Sequence, residues 1–241
     1  MSLVVGVDGG GTRTRVVILD GEGGELARTE SPPALVGGGA ADRAAAVIEE
    51  TVRLAANRAG VALPCAAMWV GLAGAGREET RAAVEGELHR HGLAERIAVG
   101  TDVEAAAEDA FAGGAGILLV AGTGSIAWGR TEAGATHRVG GWGPIVGDEG
   151  SGWSIGRAAV RRALHALDRR APDTQLAPML LERVGTDDPR ELVAWVSGAT
   201  RAEVAALVPP VVAVAEEGDA AARDILAEAA RALADHARSE E

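Results

Sequence analysis

One pattern occurs twice in the 241-residue sequence and limits the possible folds more than any other feature. An apolar run at residues 3–8 is interrupted by glycines at 9–11 and resumes as a β-branched run at 14–20. The second copy has strand-like runs at residues 116–121 and 125–131, on either side of a Gly-Thr-Gly turn. Each copy continues through a turn into a third strand-like run. A strand, a glycine turn and two further strands are therefore predicted twice, which indicates an internal duplication and two related domains facing each other.

The segments between and after the two copies predict an α/β protein. Between the copies, helical and strand-like patterns alternate, so the first half is expected to have the order β-β-β-α-β-α-β-α. Right-handed crossovers would make the later strands parallel, in a mixed sheet with helices on both faces. The predicted helices of the first half lie at residues 40–59, 78–91 and 102–111, and its later strands at residues 66–73 and 96–100. The second half is expected to be helical at residues 153–167, 173–184, 189–197, 201–217 with a break at Pro209 and Pro210, and 219–239.

The composition excludes several classes of function. With a formal net charge of −12 and no basic run with interleaved aromatic residues, the chain is not expected to bind nucleic acid. The single cysteine, Cys65, cannot form an internal disulfide, and no Cys/His cluster has zinc-ligand spacing. No segment approaches the ~20 apolar residues that span a bilayer, and no leader pattern is found. We therefore expect a cytoplasmic protein that does not bind a membrane.

The first glycine turn is a candidate phosphate-binding loop. Its glycines, including Gly10 and Gly11, would let backbone N–H groups point at phosphate oxygens, and the Thr12 hydroxyl would add a donor. Asp8 would hold hydrated Mg²⁺ at the mouth of the turn. The turn is not a Walker A loop, because a strand follows it rather than a helix. The alternative is an ordinary glycine hairpin capped by an Asx turn.

The second glycine turn occupies the equivalent position in the second copy and comprises Gly122, Thr123, Gly124 and Ser125. It imitates a dinucleotide-binding fingerprint, but that motif requires a following helix, and a strand is predicted here. Two small, hydroxyl-bearing turns at equivalent positions would converge on one cleft between the two domains. The pair therefore favours a shared phosphate site over two unrelated hairpins.

Asp102 follows the predicted strand that ends at Gly100, and ligands often lie at the carboxyl ends of strands in α/β sheets. A carboxylate there could orient an acceptor hydroxyl and take its proton in phosphoryl transfer. A structural role is also open, since Thr101 and Glu104 fit a capping box that places Asp102 in the first helical turn.

The longest glycine-rich stretch, residues 140–156, presents Asp148 and Glu149 between two tryptophans, Trp142 and Trp153. So many glycines indicate positive φ angles or a close approach of the backbone to another group. By itself the stretch could be a phosphate cradle, a metal loop, a substrate clamp or a hinge. Glu149 alternatively braces the loop, and Trp142 either packs or contacts a ligand.

Four stretches of the sequence resemble one known family, and the resemblance runs from residue 3 to about residue 165. In order, they are VVGVDGGGTRTRVVILD, GTDVEAAAEDAF, LLVAGTGSIAWGR and GGWGPIVGDEGSGWSIG. They are similar to the phosphate-1, connecting, phosphate-2 and sugar-loop motifs of the N-acetylglucosamine kinase branch of the BadF/BadG/BcrA/BcrD ATPase-like family. That family belongs to the actin/hexokinase/Hsp70 superfamily.

The resemblance implies two duplicated, actin-like domains of the ribonuclease-H-like fold, at residues 1–112 and 113–241, with ATP and sugar in the cleft between them. The implied activity is ATP- and Mg²⁺-dependent phosphorylation of an amino sugar of the N-acetylglucosamine or glucosamine type, most simply on its 6-hydroxyl. Asp102 would be the base, and Asp8 would organise Mg²⁺. The implied phosphate contacts are Gly10, Gly11, Thr12, Gly122, Thr123 and Gly124. The implied sugar contacts are Asp102, Ser125, Gly141, Trp142, Gly143 and Asp148.

Two departures from the family pattern leave other functions open. The loop SPPALVGGG lacks the asparagine that often helps to bind the amino sugar, and no strand with a glycine-rich adenosine motif follows the last helix. The second domain is therefore expected to be incomplete. The alternatives are an ATPase that activates a partner enzyme, which the lone Cys65 disfavours because that branch uses a bridging Fe–S cluster, and a non-catalytic sugar-binding or regulatory protein. The sequence also leaves a homodimer open.

Overall fold

The computed structural model describes residues 2–11, 13–34, 36 and 41–238. The chain divides into two compact units, residues 1–112 and residues 113–241. We call them unit 1 and unit 2 and describe each by itself. Among the described residues, the helices are all too short or too polar to cross a lipid bilayer.

Among its described residues, unit 1 contains a five-stranded mixed sheet and three helices. Its elements are β1 (Val4–Gly9), β2 (Thr14–Leu19), β3 (Glu25–Ser31), α1 (Ala41–Ala59), β4 (Ala67–Leu72), α2 (Glu78–Arg90), β5 (Ile97–Gly100) and α3 (Asp102–Phe111). The strand order is β3-β2-β1-β4-β5. Strand β1 pairs antiparallel with β2 and parallel with β4, and β4 pairs parallel with β5. The order of elements and the mixed sheet match the expectation from the sequence.

The two faces of this sheet have different roles. Val5 and Val7 are buried in a core with side chains of α1 and α2, such as Ile48 and Leu88. Because side chains alternate along a strand, Asp8 projects from the opposite face. Helix α3 packs on that face, against β1 and β4. The polar ends of β1 and α3 are thereby brought to the same side of the sheet.

Unit 2 begins with a three-stranded antiparallel sheet and continues as helices. The strands are β6 (Gly116–Ala121), β7 (Ser125–Arg130) and β8 (Thr136–Gly140), in the order β6-β7-β8. The helices are α4 (Gly152–Leu167), α5 (Leu176–Val184), α6 (Pro189–Gly198), α7 (Arg201–Ala205), α8 (Val208–Glu216) and α9 (Ala220–Arg238). Helix α9 packs against the sheet and against α4 and α8. A separate core fills the space between the helices, with Leu176, Leu180, Leu192 and Ile225 fully buried.

The expected break inside residues 201–217 is displaced from the prolines. Helix α7 ends at Ala205, and Pro209 and Pro210 lie in the first turn of α8. A proline is tolerated there because the first N–H groups of a helix have no intrahelical acceptor. The prolines therefore lie at the start of a helix, whereas the sequence predicted that they interrupt one.

Candidate active site

The turn between β1 and β2 is closed by one hydrogen bond, from the Gly10 amide to the Arg13 carbonyl at 3.0 Å. A Cβ at Gly9 would lie 2.5 Å from Leu72 Cδ1, so a larger residue there would require the buried Leu72 side chain to shift. Among the described residues, nothing lies within 4 Å of where a Cβ at Gly11 would be. Those residues therefore leave space beside Gly11 for a ligand. Thr12, which was assigned to ATP phosphate, lies outside the described residues.

Asp8 stands at the end of β1 with its carboxylate exposed. Its cross-strand neighbour is Arg15, whose Nη1 lies 3.7 Å from Asp8 Oδ2. The same guanidinium is closer to Glu30, with Nε 2.9 Å from Oε1. Because Arg15 is shared between two acids, Asp8 keeps a solvent-accessible carboxylate, and Arg15 is its one ion-pair partner among the described residues.

Asp102 is the first residue of α3, and the capping box expected from the sequence is present. The Thr101 hydroxyl accepts from the Glu104 amide at 3.2 Å, and the Glu104 carboxylate accepts from the Thr101 amide at 2.6 Å. The Asp102 carboxylate takes no part in that box and accepts from the amide of Val103 at 3.0 Å. The helix end is thus satisfied by its neighbours, which leaves Asp102 available for another role.

The pKa of the Asp102 carboxyl is raised above its ordinary value. The largest cause is the partial loss of water around the carboxyl group, because protein packs around it, although part of the residue stays exposed to solvent. The negative charge of Asp8 raises the pKa further. The hydrogen bond from Val103 acts in the opposite direction but is outweighed. Asp8 and Asp102 therefore sense each other's charge within unit 1. A carboxylate with a raised pKa is a better proton acceptor than an ordinary one.

Asp8 also suits a magnesium ion by its chemistry. Mg²⁺ keeps several waters and is usually held by one or two carboxylates together with substrate phosphates. An exposed carboxylate beside an open glycine turn matches that pattern. No group of three or more His, Cys, Asp or Glu side chains could hold a metal within the described ranges, so a metal would depend on oxygens from water and substrate.

The second turn is built into the start of α4. The amides of Gly152 and Trp153 donate to the carbonyls of Gly122 and Thr123, at 2.8 and 3.3 Å. The Gly122 amide bonds to the Gly124 carbonyl at 2.9 Å. In the part of the chain that the structure describes, the amides of Thr123 and Gly124 form no hydrogen bond. Those two N–H groups are the ones free to meet a phosphate.

Ser125 and Asp148 anchor the long glycine loop from within. Ser125 is buried, and its hydroxyl donates to the Glu149 carbonyl at 2.7 Å. Asp148 is only 3% exposed and has a positive φ of 61°. It accepts from the Ser125 amide at 3.4 Å and forms an ion pair with Arg201. The assignment of both residues to the sugar remains a prediction, and the structure adds a bracing role for each.

Arg201 is the partner that the sequence analysis missed. It is the first residue of α7 and lies 53 residues from Asp148 along the chain. An arginine after a capping threonine has no feature that would predict a partner in a distant loop. No motif could have indicated this ion pair.

The middle of the glycine loop is open to solvent. Gly141 and Gly143 have positive φ angles of 67° and 88°, which glycine adopts without strain. Between them Trp142 is 68% exposed, and the Arg138 guanidinium lies over its ring at 4.6 Å from the centroid. An exposed indole on a glycine-flanked bend is available to a ligand. Glu149 instead lies near His236, 3.8 Å from its Nε2, which is consistent with the alternative bracing role.

Comparisons with known proteins agree with the motifs. An N-acetylmuramic acid/N-acetylglucosamine kinase of Clostridium acetobutylicum is 34% identical over 236 residues, which cover 97% of this chain and 77% of that protein. An N-acetyl-D-glucosamine kinase of Dictyostelium discoideum is 31% identical over 247 residues, with the same coverage. The structure of a candidate N-acetylglucosamine kinase from Chromobacterium violaceum superposes with a TM-score of 0.85 at 30% identity, over 99% of this chain and 83% of the other.

A family model extends the match to residues 5–239, which includes the helical region that carries few motifs. The match therefore covers all the glycine turns, Asp102 and the long glycine loop. The family expected from the sequence is confirmed, and the chain belongs to the BadF/BadG/BcrA/BcrD ATPase family.

Proposed function

We propose that the protein is an ATP-dependent kinase that phosphorylates an amino sugar of the N-acetylglucosamine or glucosamine type. The observation that carries the proposal is Asp102, the first residue of α3, a carboxylate whose pKa is raised by loss of hydration and by the charge of Asp8, the residue just before the first glycine turn. The kinases to which the chain is at least 30% identical over nearly its whole length support the same reaction class.

In this proposal Asp102 is the base. It orients a sugar hydroxyl, most simply the 6-hydroxyl, and accepts its proton as the oxygen attacks the γ-phosphorus of ATP. The bond from that phosphorus to the β,γ-bridging oxygen breaks, and ADP leaves with the electron pair. The raised pKa supports the role, because a more basic carboxylate binds the transferred proton more strongly. Asp8 would hold Mg²⁺ through water, and the ion would neutralise phosphate charge when bound.

Each unit is assigned a share of the phosphate contacts. Gly10, Gly11 and Thr12 would contact phosphate from unit 1, and Gly122, Thr123 and Gly124 from unit 2. In unit 2 the assignment is better supported for Thr123 and Gly124, whose amides have no hydrogen-bond partner among the described residues, than for Gly122. The Gly122 amide already donates within the turn. The same strand plan around both glycine turns supports the duplicated ribonuclease-H-like architecture as part of the proposal.

The sugar is assigned to the long glycine loop of unit 2. Trp142 offers an exposed face to the sugar ring, and Gly141 and Gly143 allow the ligand to approach the backbone. Ser125 and Asp148 hold the loop in shape and would add polar contacts to sugar hydroxyls from their remaining acceptor positions.

The test is a coupled ATPase and phosphosugar assay with Mg²⁺ and a panel of hexoses, hexosamines and N-acetylhexosamines. We expect turnover with an amino sugar and a loss of about 10²–10⁴ in kcat for Asp102→Asn, because general-base help is removed while the shape is kept. Asp109→Asn is the matched control, an exposed acid near the other end of the same helix, and should retain wild-type kcat.

Two results would contradict the proposal. Undiminished turnover in Asp102→Asn would remove Asp102 from the reaction. Calorimetric binding of an amino sugar without binding or hydrolysis of ATP would instead support the non-catalytic sugar-binding function.

A further inference from the structure

Unit 2 contains a pocket of about 560 Å³ behind the middle of the glycine loop. One wall is formed by Pro144, Ile145, Val146 and Gly147, and the opposite wall by helix α4. In the described part of the chain, its lining includes none of the residues assigned to the sugar. It is therefore a separate place at which a ligand could bind.

Helix α4 presents one continuous row to this pocket. Trp153, Arg157, Arg161 and His165 all line it and follow one another at intervals of four residues. Residues four apart lie on the same helix face about one turn from each other, where two like charges are destabilising. Arg157 and Arg161 stand in this relation, so an anion bound at both guanidinium groups would relieve their repulsion.

Two of the other charges at the pocket are neutralised, and a third, the carboxylate of Glu149, lies 3.8 Å from His236 Nε2. Arg170 is paired with Asp168 at 2.7 Å, and Glu228 is paired with Arg162 at 3.1 Å. Arg157 donates only to the Pro144 carbonyl, at 3.3 Å, and Arg161 has no hydrogen-bonding or acidic partner among the described residues. In a chain of net charge −12, Arg157 and Arg161, neither paired with an acid among the described residues, outnumber Glu149 and give this side of the pocket a local positive charge.

The rest of the lining is apolar. Ile145 and Val146 are 88% and 74% exposed, and Leu164 and Val196 complete the apolar part of the wall. Large aliphatic side chains this exposed bury apolar surface when a ligand with an apolar portion covers them. The pocket thus combines a cationic side with an apolar side, at a volume suited to one small molecule.

We propose that this pocket is a second ligand site, which binds a small organic anion. A carboxylate or phosphate group of the ligand contacts Arg157 and Arg161, since guanidinium groups bind both through paired hydrogen bonds. The apolar body of the ligand packs on Ile145, Val146 and the Trp153 ring. Because Pro144 to Gly147 connect Gly143 to Asp148, a ligand here holds the part of the loop that lies between the residues assigned to the sugar.

The test is calorimetric titration of the full chain, without ATP or sugar, with five probes: hexanoate, hexyl phosphate, acetate, inorganic phosphate and hexanol. We expect hexanoate or hexyl phosphate to bind at least roughly tenfold more tightly than acetate, phosphate and hexanol, since only the first two have both a charge and an apolar body. The tighter of the two identifies the head group.

Arg161→Gln should weaken the binding of the best probe at least tenfold, because Arg161 has no structural partner to lose. The matched control is Arg183→Gln, an exposed arginine on α5 outside the pocket, which should bind as the wild type does. Val146→Ser should weaken hexanoate and leave acetate unchanged.

Equal binding of hexanol and hexanoate, or unchanged binding by Arg161→Gln, would overturn the proposal. The proposal would also be overturned if sedimentation showed that a second copy of the chain covers the pocket and that dimerisation is lost in Arg161→Gln. All these readouts are independent of phosphoryl transfer and can be repeated in Asp102→Asn, so a failure here is distinguishable from a failure of the proposed kinase activity.

Discussion

Asp102 has a favourable position for an acid, in the first turn of a helix, yet its surroundings destabilise its ionised form. A carboxylate in the first turn of a helix is ordinarily stabilised by the helix dipole. In this protein the surrounding side chains reduce its hydration and Asp8 repels it, so the pKa of Asp102 is raised instead. The residue is therefore a local source of instability that a catalytic role would explain.

This balance predicts a pH-dependent stability difference between the wild type and Asp102→Asn. Because the folded-state pKa is above the unfolded-state value, ionised Asp102 destabilises the fold at neutral pH, and this penalty disappears as pH falls below the unfolded pKa. Asp102→Asn cannot ionise, so its melting temperature relative to the wild type should be higher at pH 7–8 than below about pH 3.9, the ordinary pKa of an aspartate. The comparison is thermal unfolding of both proteins across that range.

Asp109→Asn serves again as the control, because it makes the same change from acid to amide at an exposed position near the other end of the same helix. If the difference in melting temperature between Asp102→Asn and the wild type were constant with pH, Asp102 would ionise equally easily in the folded and unfolded chains.

At the residue scale, contacts between neighbours in the sequence could be predicted, and contacts between distant residues could not. The capping box of Thr101 and Glu104 was predicted, because it depends on residues three apart. The interaction of Asp8 with Asp102 and the ion pair of Asp148 with Arg201 depend on residues brought together by the fold. Their side-chain partners have no fixed spacing in the sequence, so the site residues could be proposed individually but their contacts could not.

At the scale of elements, glycine within a helix marks the closest packing of unit 2. A Cβ at Gly156, inside α4, would lie 2.2 Å from the Val204 carbonyl oxygen of α7. Helix α7 carries Arg201, so this contact also sets the position of the ion pair that holds Asp148. The approach of the two helices thus links the core of unit 2 to the glycine loop.

Gly156→Ala should therefore destabilise the protein, even though alanine is the better helix former. In an open helix the change is worth about 1 kcal/mol in favour of alanine, but overpacking against a backbone atom costs typically about 1–3 kcal/mol. We expect a net loss of stability in urea-induced unfolding. Gly86→Ala in α2 is the matched control, since its Cβ would meet nothing within 4 Å, and it should be stabilising.

If Gly156→Ala were as stable as the wild type, α7 would have to move away from α4 without loss. A stabilising effect of both substitutions would show that helix propensity, rather than the contact with Val204, decides the stability at this position.

Element boundaries were predictable where a local pattern repeats. Helix α3 and strand β6 have the predicted bounds, because glycines and polar turns mark their ends. Pro209 and Pro210 misled the prediction, since the same residues can end a helix or begin one. Whether the prolines end a helix or begin one depends on whether the backbone N–H groups before them are already hydrogen-bonded in a helix. That is decided only in the folded chain.

At the scale of the whole molecule, each unit has a hydrophobic core of its own. Leu88 is fully buried in the core of unit 1, and Leu180 is fully buried in that of unit 2. With separate cores, the two units have separate sources of stability, and unfolding need not be a single event.

We therefore expect two transitions in urea-induced unfolding. Leu88→Ala should shift only one of them and Leu180→Ala only the other, each by about 2–5 kcal/mol, as for other buried leucines. Tryptophan fluorescence can separate them, because Trp69 is in unit 1 and the other four tryptophans are in unit 2. A Trp69→Phe background would report on unit 2 alone. If both leucine variants shifted one common transition equally, the units would unfold together.

The family and the α/β class could be predicted from the sequence, because the glycine motifs that carry them are local and distinctive. The helical region after the loop could be predicted only as a series of helices. Its alanine-rich faces, as in α9, allow many pairings, and the packing of α9 on the sheet depends on contacts that no spacing encodes.

The glycine loop is fixed at both ends and open in the middle. Ser125 and Arg201 hold the loop around Asp148 and Glu149, while Ile145 and Val146 project into solvent. Substitutions at these two exposed positions can therefore accumulate without disturbing the anchored residues or the core. Among related proteins, this arrangement allows ligand preference to diverge at residues 145 and 146 while the chemistry assigned to Asp102 and the stability of the fold are inherited unchanged.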